Sequence, residues 1–330
     1  MKRARYNGII NMKRSSVKEG REKKMDRVYE CVEKWMAECK ELTVKPATYA
    51  RLLTSLALMK KYSIAYESIG NLEAEDINRY LRNLVDDGYA FTTIKKQYHL
   101  LGAYLKYAAA EGIIERPIHF NVSLPAQTLV KKKKKEIETY NMVEQTALSK
   151  VFSTLERPGY GANLLMMETG IRVGEALALM WGDVDWNRKA IKINKTVIRI
   201  ANTRISRVQD SPKSSASKRV LPLSKKALGT LQELYLSASD RNGFVFVGED
   251  NKHLTYEALR YQTNLACEKA KVPYKGQHVF RHTFATNCYY KGCDVKILSK
   301  MLGHSSVSVT FNTYIHLFGD ALDEMRAIVD

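Results

Sequence analysis

The chain has 330 residues, with 53 Lys and Arg against 35 Asp and Glu, a formal charge of +18 at pH 7, and a length that fits about two domains. A content of 45% hydrophobic and 27% charged residues, with a mean hydropathy of −0.34, excludes wholesale disorder. No run of about eighteen apolar residues marks a membrane span, and residues 1–25 lack the apolar core of a secretory signal, so a cytoplasmic protein is expected.

Those first 25 residues carry nine Lys or Arg and two Glu, and read as a flexible basic arm suited to a phosphate backbone. Apolar residues then recur at helical spacing. Val28, Val32, Trp35, Met36 and Cys39 fall on one face, followed by Leu52, Leu53, Leu56 and Met59. Further stripes are Ile77, Tyr80, Leu81 and Leu84, then Ile94, Tyr98, Leu101, Leu105 and Ala108, with Gly112 and Pro117 as stop signals. Residues 26–116 thus predict a small all-α bundle. Between 117 and 144 the periodicity is lost. The five successive lysines Lys131, Lys132, Lys133, Lys134 and Lys135 make this a basic connection, either a solvated linker or a strip lying along a nucleic-acid backbone. Residues 145–318 mix helices with short strands at 190–200, 219–223 and 244–247, an α+β domain with its own core. A tail at 319–330 places Leu322, Met325 and Ile328 among acidic residues.

The five cysteines, Cys31, Cys39, Cys267, Cys288 and Cys293, are odd in number and scattered, and read as reduced thiols. The net charge fits a polyanionic partner such as nucleic acid, or simply a basic solvated surface.

Four of the seven histidines, His278, His282, His304 and His316, lie in the last 53 residues. A helix over 277–286 puts His278, Arg281 and His282 at i, i+3 and i+4 on one face. That joins proton-transfer imidazoles to a permanently charged fork, although the same spacing also describes a solvated basic face. A metal site is not expected, because this His-x-x-x-His lacks the Glu after its first His and Cys288 and Cys293 have no second pair. Upstream, a Thr169-Gly170 break precedes a helix whose first turn carries Arg172 and Glu175. This is either a surface ion pair or a guanidinium held in place by a carboxylate. Lys213 lies in a Ser-rich stretch ahead of the strand at 219–223 and fits a β-hairpin tip. Met301-Leu302-Gly303-His304 reads as a helix end and turn, before a helix on which Val307, Thr310, Phe311 and Tyr314 share a face.

Taken in this order, Thr-Gly-x-Arg-x-x-Glu, a Lys hairpin, His-x-x-Arg-His, and Leu-Gly-His with a Tyr ten residues on, the chain resembles the tyrosine recombinases of the phage integrase family over about 145–320. The helical region before it resembles that family's core-binding domain. The resemblance implies a multidomain fold: an all-α, SAM-like core-binding domain, then a mixed α+β, mainly helical catalytic domain with a small β-sheet. It implies a catalytic set of Arg172, Lys213, His278, Arg281, His304 and Tyr314, with Glu175 in support and His282 tying down its helix. Lys218, five residues from Lys213, is the competing lysine.

The function so implied is that of a site-specific integrase of a phage or transposable element, cleaving double-stranded DNA through a 3′-phosphotyrosyl link. No metal, ATP or other cofactor is expected. In this chemistry Arg172 and Arg281 would neutralise the phosphoryl oxygens, Lys213 would protonate the leaving 5′ oxygen, His278 would act as acid or base near Tyr314, and His304 would donate to the phosphate. Expected partners are the DNA, three further copies in a homo-tetramer on two duplexes (monomer or weak dimer when free), an excisionase and a DNA-bending host factor, with no membrane. The tail either caps its own domain or docks on a neighbouring subunit. With 25 residues ahead of the first helix, binding to distant arm sites is not expected. Alternatives are a chromosome-dimer resolvase or invertase, a type IB topoisomerase, and a DNA-binding regulator without catalysis.

Overall fold

The computed structural model describes residues 26–44, 46–115, 117–130, 138–199, 206–210 and 218–314, and the chain divides into two compact units, Met1–Lys134 and Lys135–Asp330. The first is built from α1 (Val28–Trp35), which runs on into a π-helical turn at Met36–Lys40, α2 (Pro46–Met59), α3 (Ala74–Asp86) and α4 (Phe91–Ala110). Its core is the set of stripes legible in the sequence. Val28, Val32, Trp35, Ile77, Leu81, Leu84, Ile94, Leu101 and Leu105 are all buried, each contributing about 1.5–3 kcal/mol when fully withdrawn from water. Cys39 and Tyr98 lie at the margin, partly buried against this core. At the start of α3 the Glu73 N–H donates to the Asp76 carboxylate at 2.9 Å, closing one of the amides that a helix start leaves open. α4 ends where Gly112 takes φ +67°.

In the second unit the helices are α5 (Met142–Phe152), α6 (Pro158–Thr169), α7 (Val173–Leu177), α8 (Lys225–Leu236), α9 (Tyr256–Ala270), α10 (His278–Tyr290), α11 (Val295–Leu302) and α12 (Val307–Tyr314). α5 begins inside the stretch read from sequence as connection: Asn141 Oδ1 accepts from the Glu144 N–H at 2.9 Å and caps it. α6 is buried almost all round, from Gly159 to Met167, and so forms the centre of the unit. α10 packs onto this core through Phe280, whose ring meets Phe152 edge-on at 5.7 Å.

The strands are β1 (Val184–Asp185), β2 (Ala190–Ile193), β3 (Lys195–Arg199), β4 (Ser206–Asp210) and β5 (Arg219–Pro222). β2 pairs antiparallel with β1 and β5, and β3 antiparallel with β4. The single strand expected at 190–200 is therefore divided at Asn194, whose side chain turns to donate to Asp183 Oδ1 at 2.9 Å. On either side of Asn194 the partner changes, from Arg219 of β5 opposite Ile193 to Asp210 of β4 opposite Lys195. β4 and β5 thus pair with different strands, β3 and β2, and Lys213, expected at a hairpin tip, falls in the sequence between them. Its own placement lies outside the described residues. The apolar run at 244–247 forms two isolated bridges, Met180 to Phe244 and Val247 to His253, since its partner changes within two residues. No helix among the described residues is long and apolar enough to cross a membrane.

Candidate active site

The polar residues singled out by the sequence gather in the second unit around one buried carboxylate. α7 is five residues long and Arg172 caps it, its backbone N–H donating to Glu175 Oε2 at 2.8 Å. The Arg172 guanidinium donates to Glu175 Oε1 at 2.9 Å and to the Gly303 carbonyl at 3.0 Å. From β5, Arg219 adds a two-pronged contact to the same carboxylate, Nη1 to Oε1 at 3.0 Å and Nη2 to Oε2 at 2.8 Å, and donates from Nε to the Met301 carbonyl at 2.6 Å. Burial by itself would raise the pKa of Glu175. The Arg219 hydrogen bonds and charge, then the Arg172 charge, outweigh it and hold the carboxyl below its ordinary value.

α10 supplies the second guanidinium. Arg281 donates from Nη1 to the Gly170 carbonyl at 2.8 Å and from Nη2 to the Leu302 carbonyl at 2.6 Å. Gly170 ends α6 at φ +66°, and a Cβ there would run into the Phe284 ring, so glycine lets this carbonyl approach Arg281. The carbonyl bonds engage two of the five N–H donors of the guanidinium, which holds the fork from behind and keeps donors for a phosphoryl oxygen. Burial, then the Arg172 charge, pushes the Arg281 pKa down to about 9, which leaves it cationic at neutral pH.

α11 ends in a tight turn with Gly303 at φ +65°, closed by bonds from Gly303 N–H to the Lys300 carbonyl at 3.0 Å and from His304 N–H to the Ser299 carbonyl at 3.1 Å. His304 Nδ1 lies 2.7 Å from Thr310 Oγ1 on α12. With that hydroxyl donating, the ring carries its proton on Nε2. Tyr314 closes α12 at 2% exposure, and its hydroxyl lies 3.0 Å from His282 Nδ1. Of the stripe expected on α12, Thr310 and Tyr314 are buried, whereas Val307 and Phe311 keep roughly two-fifths of their surface, 41% and 43%: the helix turns just one edge inward.

Three guanidinium groups against one carboxylate leave the site with an excess of positive charge, and its field is felt by the imidazoles. Burial, then the Arg281 and Arg172 charges, lowers the pKa of His278, and burial with the charges of Arg281, Arg172 and Arg219 lowers that of His304 to about 4. Both rings are neutral at pH 7. Burial pushes the Tyr314 phenol up to about 12, against the opposite pull of Arg281, so it too is neutral and protonated.

Of the residues expected from sequence, Arg172, Glu175, Arg281, His282, His304 and Tyr314 are joined into this site by the contacts above, and the fields of Arg281 and Arg172 reach His278. Lys213, His316, the run Lys131–Lys135 and the tail lie outside the described residues. Arg219 was missed. Its signal was the alternation of a strand, since Arg219 shares a face with buried Leu221 while Val220 is 48% exposed. The imidazole hydrogen-bonded to Tyr314 is that of His282, which the resemblance implied as tying down its helix, with His278 as the acid or base near Tyr314.

A hydroxyl nucleophile beside a pair of anchored arginines is an arrangement for phosphoryl transfer. A model of the phage integrase family matches residues 133–320, and the chain belongs to that family, the tyrosine recombinases, enzymes of DNA strand exchange. Among curated relatives, it is 28% identical over 306 residues to a tyrosine recombinase XerC-like protein of Caldanaerobacter subterraneus subsp. tengcongensis, covering 86% of this chain and 77% of that one. It is 23% identical to the transposase from transposon Tn916 of Enterococcus faecalis, covering 82% and 70%, and 24% identical to the integrase of Staphylococcus phage L54a, covering 83% of each. Among solved structures, the Tn1549 transposon integrase in complex with a circular intermediate DNA superposes with a TM-score of 0.73 at 18% identity, covering 91% of this chain and 99% of that one. A lambda integrase tetramer bound to a Holliday junction superposes with a TM-score of 0.58 at 15% identity, covering 87% and 78%. These likenesses establish the fold as that of the integrases.

Proposed function

We propose that this recombinase integrates or excises a mobile genetic element, acting on double-stranded DNA through a 3′-phosphotyrosyl intermediate on Tyr314. The observation that carries the reading is the clustering of Arg172, Arg281, His304 and Tyr314, with both guanidinium groups fixed by backbone carbonyls. The transposon and phage origins of relatives support the mobile element. In the proposed reaction Arg172 and Arg281 stabilise charge on the non-bridging oxygens, an effect worth several kcal/mol in the transition state. His304 donates from Nε2 to the same phosphoryl group. Lys213 protonates the departing 5′ oxygen. The phosphotyrosyl ester conserves the bond energy, so a 5′ hydroxyl from a partner strand reverses the step without ATP.

Strand exchange between two duplexes calls for four such sites, and a homo-tetramer supplies them, assembled from chains that are monomers or weak dimers when free. The lysine run Lys131–Lys135 follows the phosphate backbone, and the tail at 319–330 docks on a neighbouring subunit. An excisionase and a DNA-bending host factor set direction. The likeness to a XerC-like recombinase supports resolution of chromosome dimers as the second reading.

The test is a covalent trap: incubation without metal with bridging-phosphorothiolate DNA from the ends of the element, and mass spectrometry of any DNA-linked peptide. A 3′ adduct on Tyr314 is the expected result. Tight binding without an adduct would replace the enzyme by a regulator, and strand exchange at chromosomal dimer sites but not at element ends would favour the second reading.

A further inference from the structure

Cleavage by Tyr314 needs somewhere for its proton to go. The hydroxyl is buried and protonated at neutral pH, so the O–H bond must open as oxygen attacks phosphorus. Among the described residues the hydrogen bond at this hydroxyl is to His282 Nδ1 at 3.0 Å, with the two rings edge to face. His304, the other imidazole of the site with a mapped hydrogen bond, has its Nδ1 engaged by Thr310. His282 follows Arg281 on α10, so the helix that carries the phosphate clamp also places this ring at the nucleophile.

We propose that His282 is the proton acceptor for Tyr314 in strand cleavage and the donor that returns the proton on rejoining, an inference that rests on the recombinase reading above. In cleavage the Tyr314 Oη–P bond forms and the P–O5′ bond breaks. The Oη proton passes to His282 Nδ1, and the departing 5′ oxygen takes a proton from Lys213. In rejoining the 5′ oxygen bonds phosphorus and gives its proton back to that amine, while the Oη–P bond breaks and Nδ1 returns its proton to Oη. His282 is thereby a catalytic residue, since it touches the reacting oxygen.

Two substrates separate this role from packing. A nicked suicide duplex from the element's ends reports Tyr314 adduct formation. A strand ending in a 3′-p-nitrophenyl phosphate, annealed next to a 5′-hydroxyl strand, reports joining: the 5′ oxygen bonds phosphorus, p-nitrophenolate leaves with the electron pair of the P–O bond, and the hydroxyl proton goes to Lys213 or solvent. This second reaction uses the arginine clamp but neither Tyr314 nor its proton acceptor, so Tyr314→Phe retains it. His282→Ala is expected to slow adduct formation by about 10²–10⁴-fold, the usual share of a general base, with p-nitrophenol release changed by less than about 2-fold.

His282→Asn keeps a hydrogen-bonding group near the Nδ1 position without the ability to take up a proton, and is expected to match His282→Ala. Equal loss of both reactions in both variants overturns the proposal in favour of packing. Recovery of adduct formation in His282→Asn, or unchanged adduct formation in His282→Ala, overturns it as well. A wild-type chain that forms no Tyr314 adduct at all strikes at the recombinase reading and not at His282.

Discussion

Glu175 sets the charge balance of the site, and its removal should be felt as stability before it is felt as chemistry. Its side chain is 1% exposed and meets Arg219, which is 7% exposed. Glu175→Gln therefore leaves a buried guanidinium without its counter-charge, at an expected cost of about 3–5 kcal/mol at pH 7, read by urea denaturation. The folded carboxyl titrates below its ordinary value of 4.5, so its contribution is fully present above that value and is lost as pH falls through the folded pKa. Wild-type unfolding free energy should accordingly drop more steeply than that of Glu175→Gln once pH falls below about 4.5. Tyr314→Phe is a different kind of change. It removes one hydroxyl and its bond to His282, and should abolish the covalent adduct while gel-shift affinity for DNA stays within about 2-fold. Arg172, Arg281, His304 and Tyr314 could be singled out because the resemblance rests on short motifs, Thr-Gly-x-Arg, His-x-x-Arg-His and Leu-Gly-His with a Tyr ten residues on, that stand in the sequence itself. Arg219 was not, because the partner that gives it meaning lies 44 residues upstream.

At the scale of elements, short helices and tight turns do the positioning. Gly303 has φ +65°, and an added Cβ would lie 2.8 Å from Arg219 Nη1, while its carbonyl holds Arg172. Gly303→Ala should cost about 1–3 kcal/mol in thermal unfolding and slow adduct formation as well, because the strain falls on the turn that delivers His304. The helical stripes of the first unit could be read in advance, since one-faced burial is a local property of spacing. The division of the strand at Asn194 could not, because it depends on a side-chain contact to Asp183 and on a change of partner strand from β5 to β4. The α7 helix follows the Thr169-Gly170 break, as its sequence predicts. Its five residues suffice because the Glu175–Arg219 contact, not helix propensity, fixes it.

For the whole molecule, a net charge of +18 means that DNA affinity should fall steeply with salt. Replacement of the five lysines at 131–135 by glutamine should lower the slope of log K against log salt by about 0.9 for each lysine that meets a phosphate; an unchanged slope would make the run a solvated linker. The burial of Tyr314 has a consequence for the genome that carries the recombination site. If the proposed ester forms on Tyr314, a residue 2% exposed in the free chain, the same packing would screen it from bulk water, and hydrolysis of that ester would release the DNA as an unrepaired break. The competing 5′ end arrives already held in place, so shielding tilts the contest in time as well as in energy. In the proposed reaction, close packing around one phenol would act as a safeguard on fidelity, lengthening the wait that the covalent intermediate can survive before its partner strand arrives.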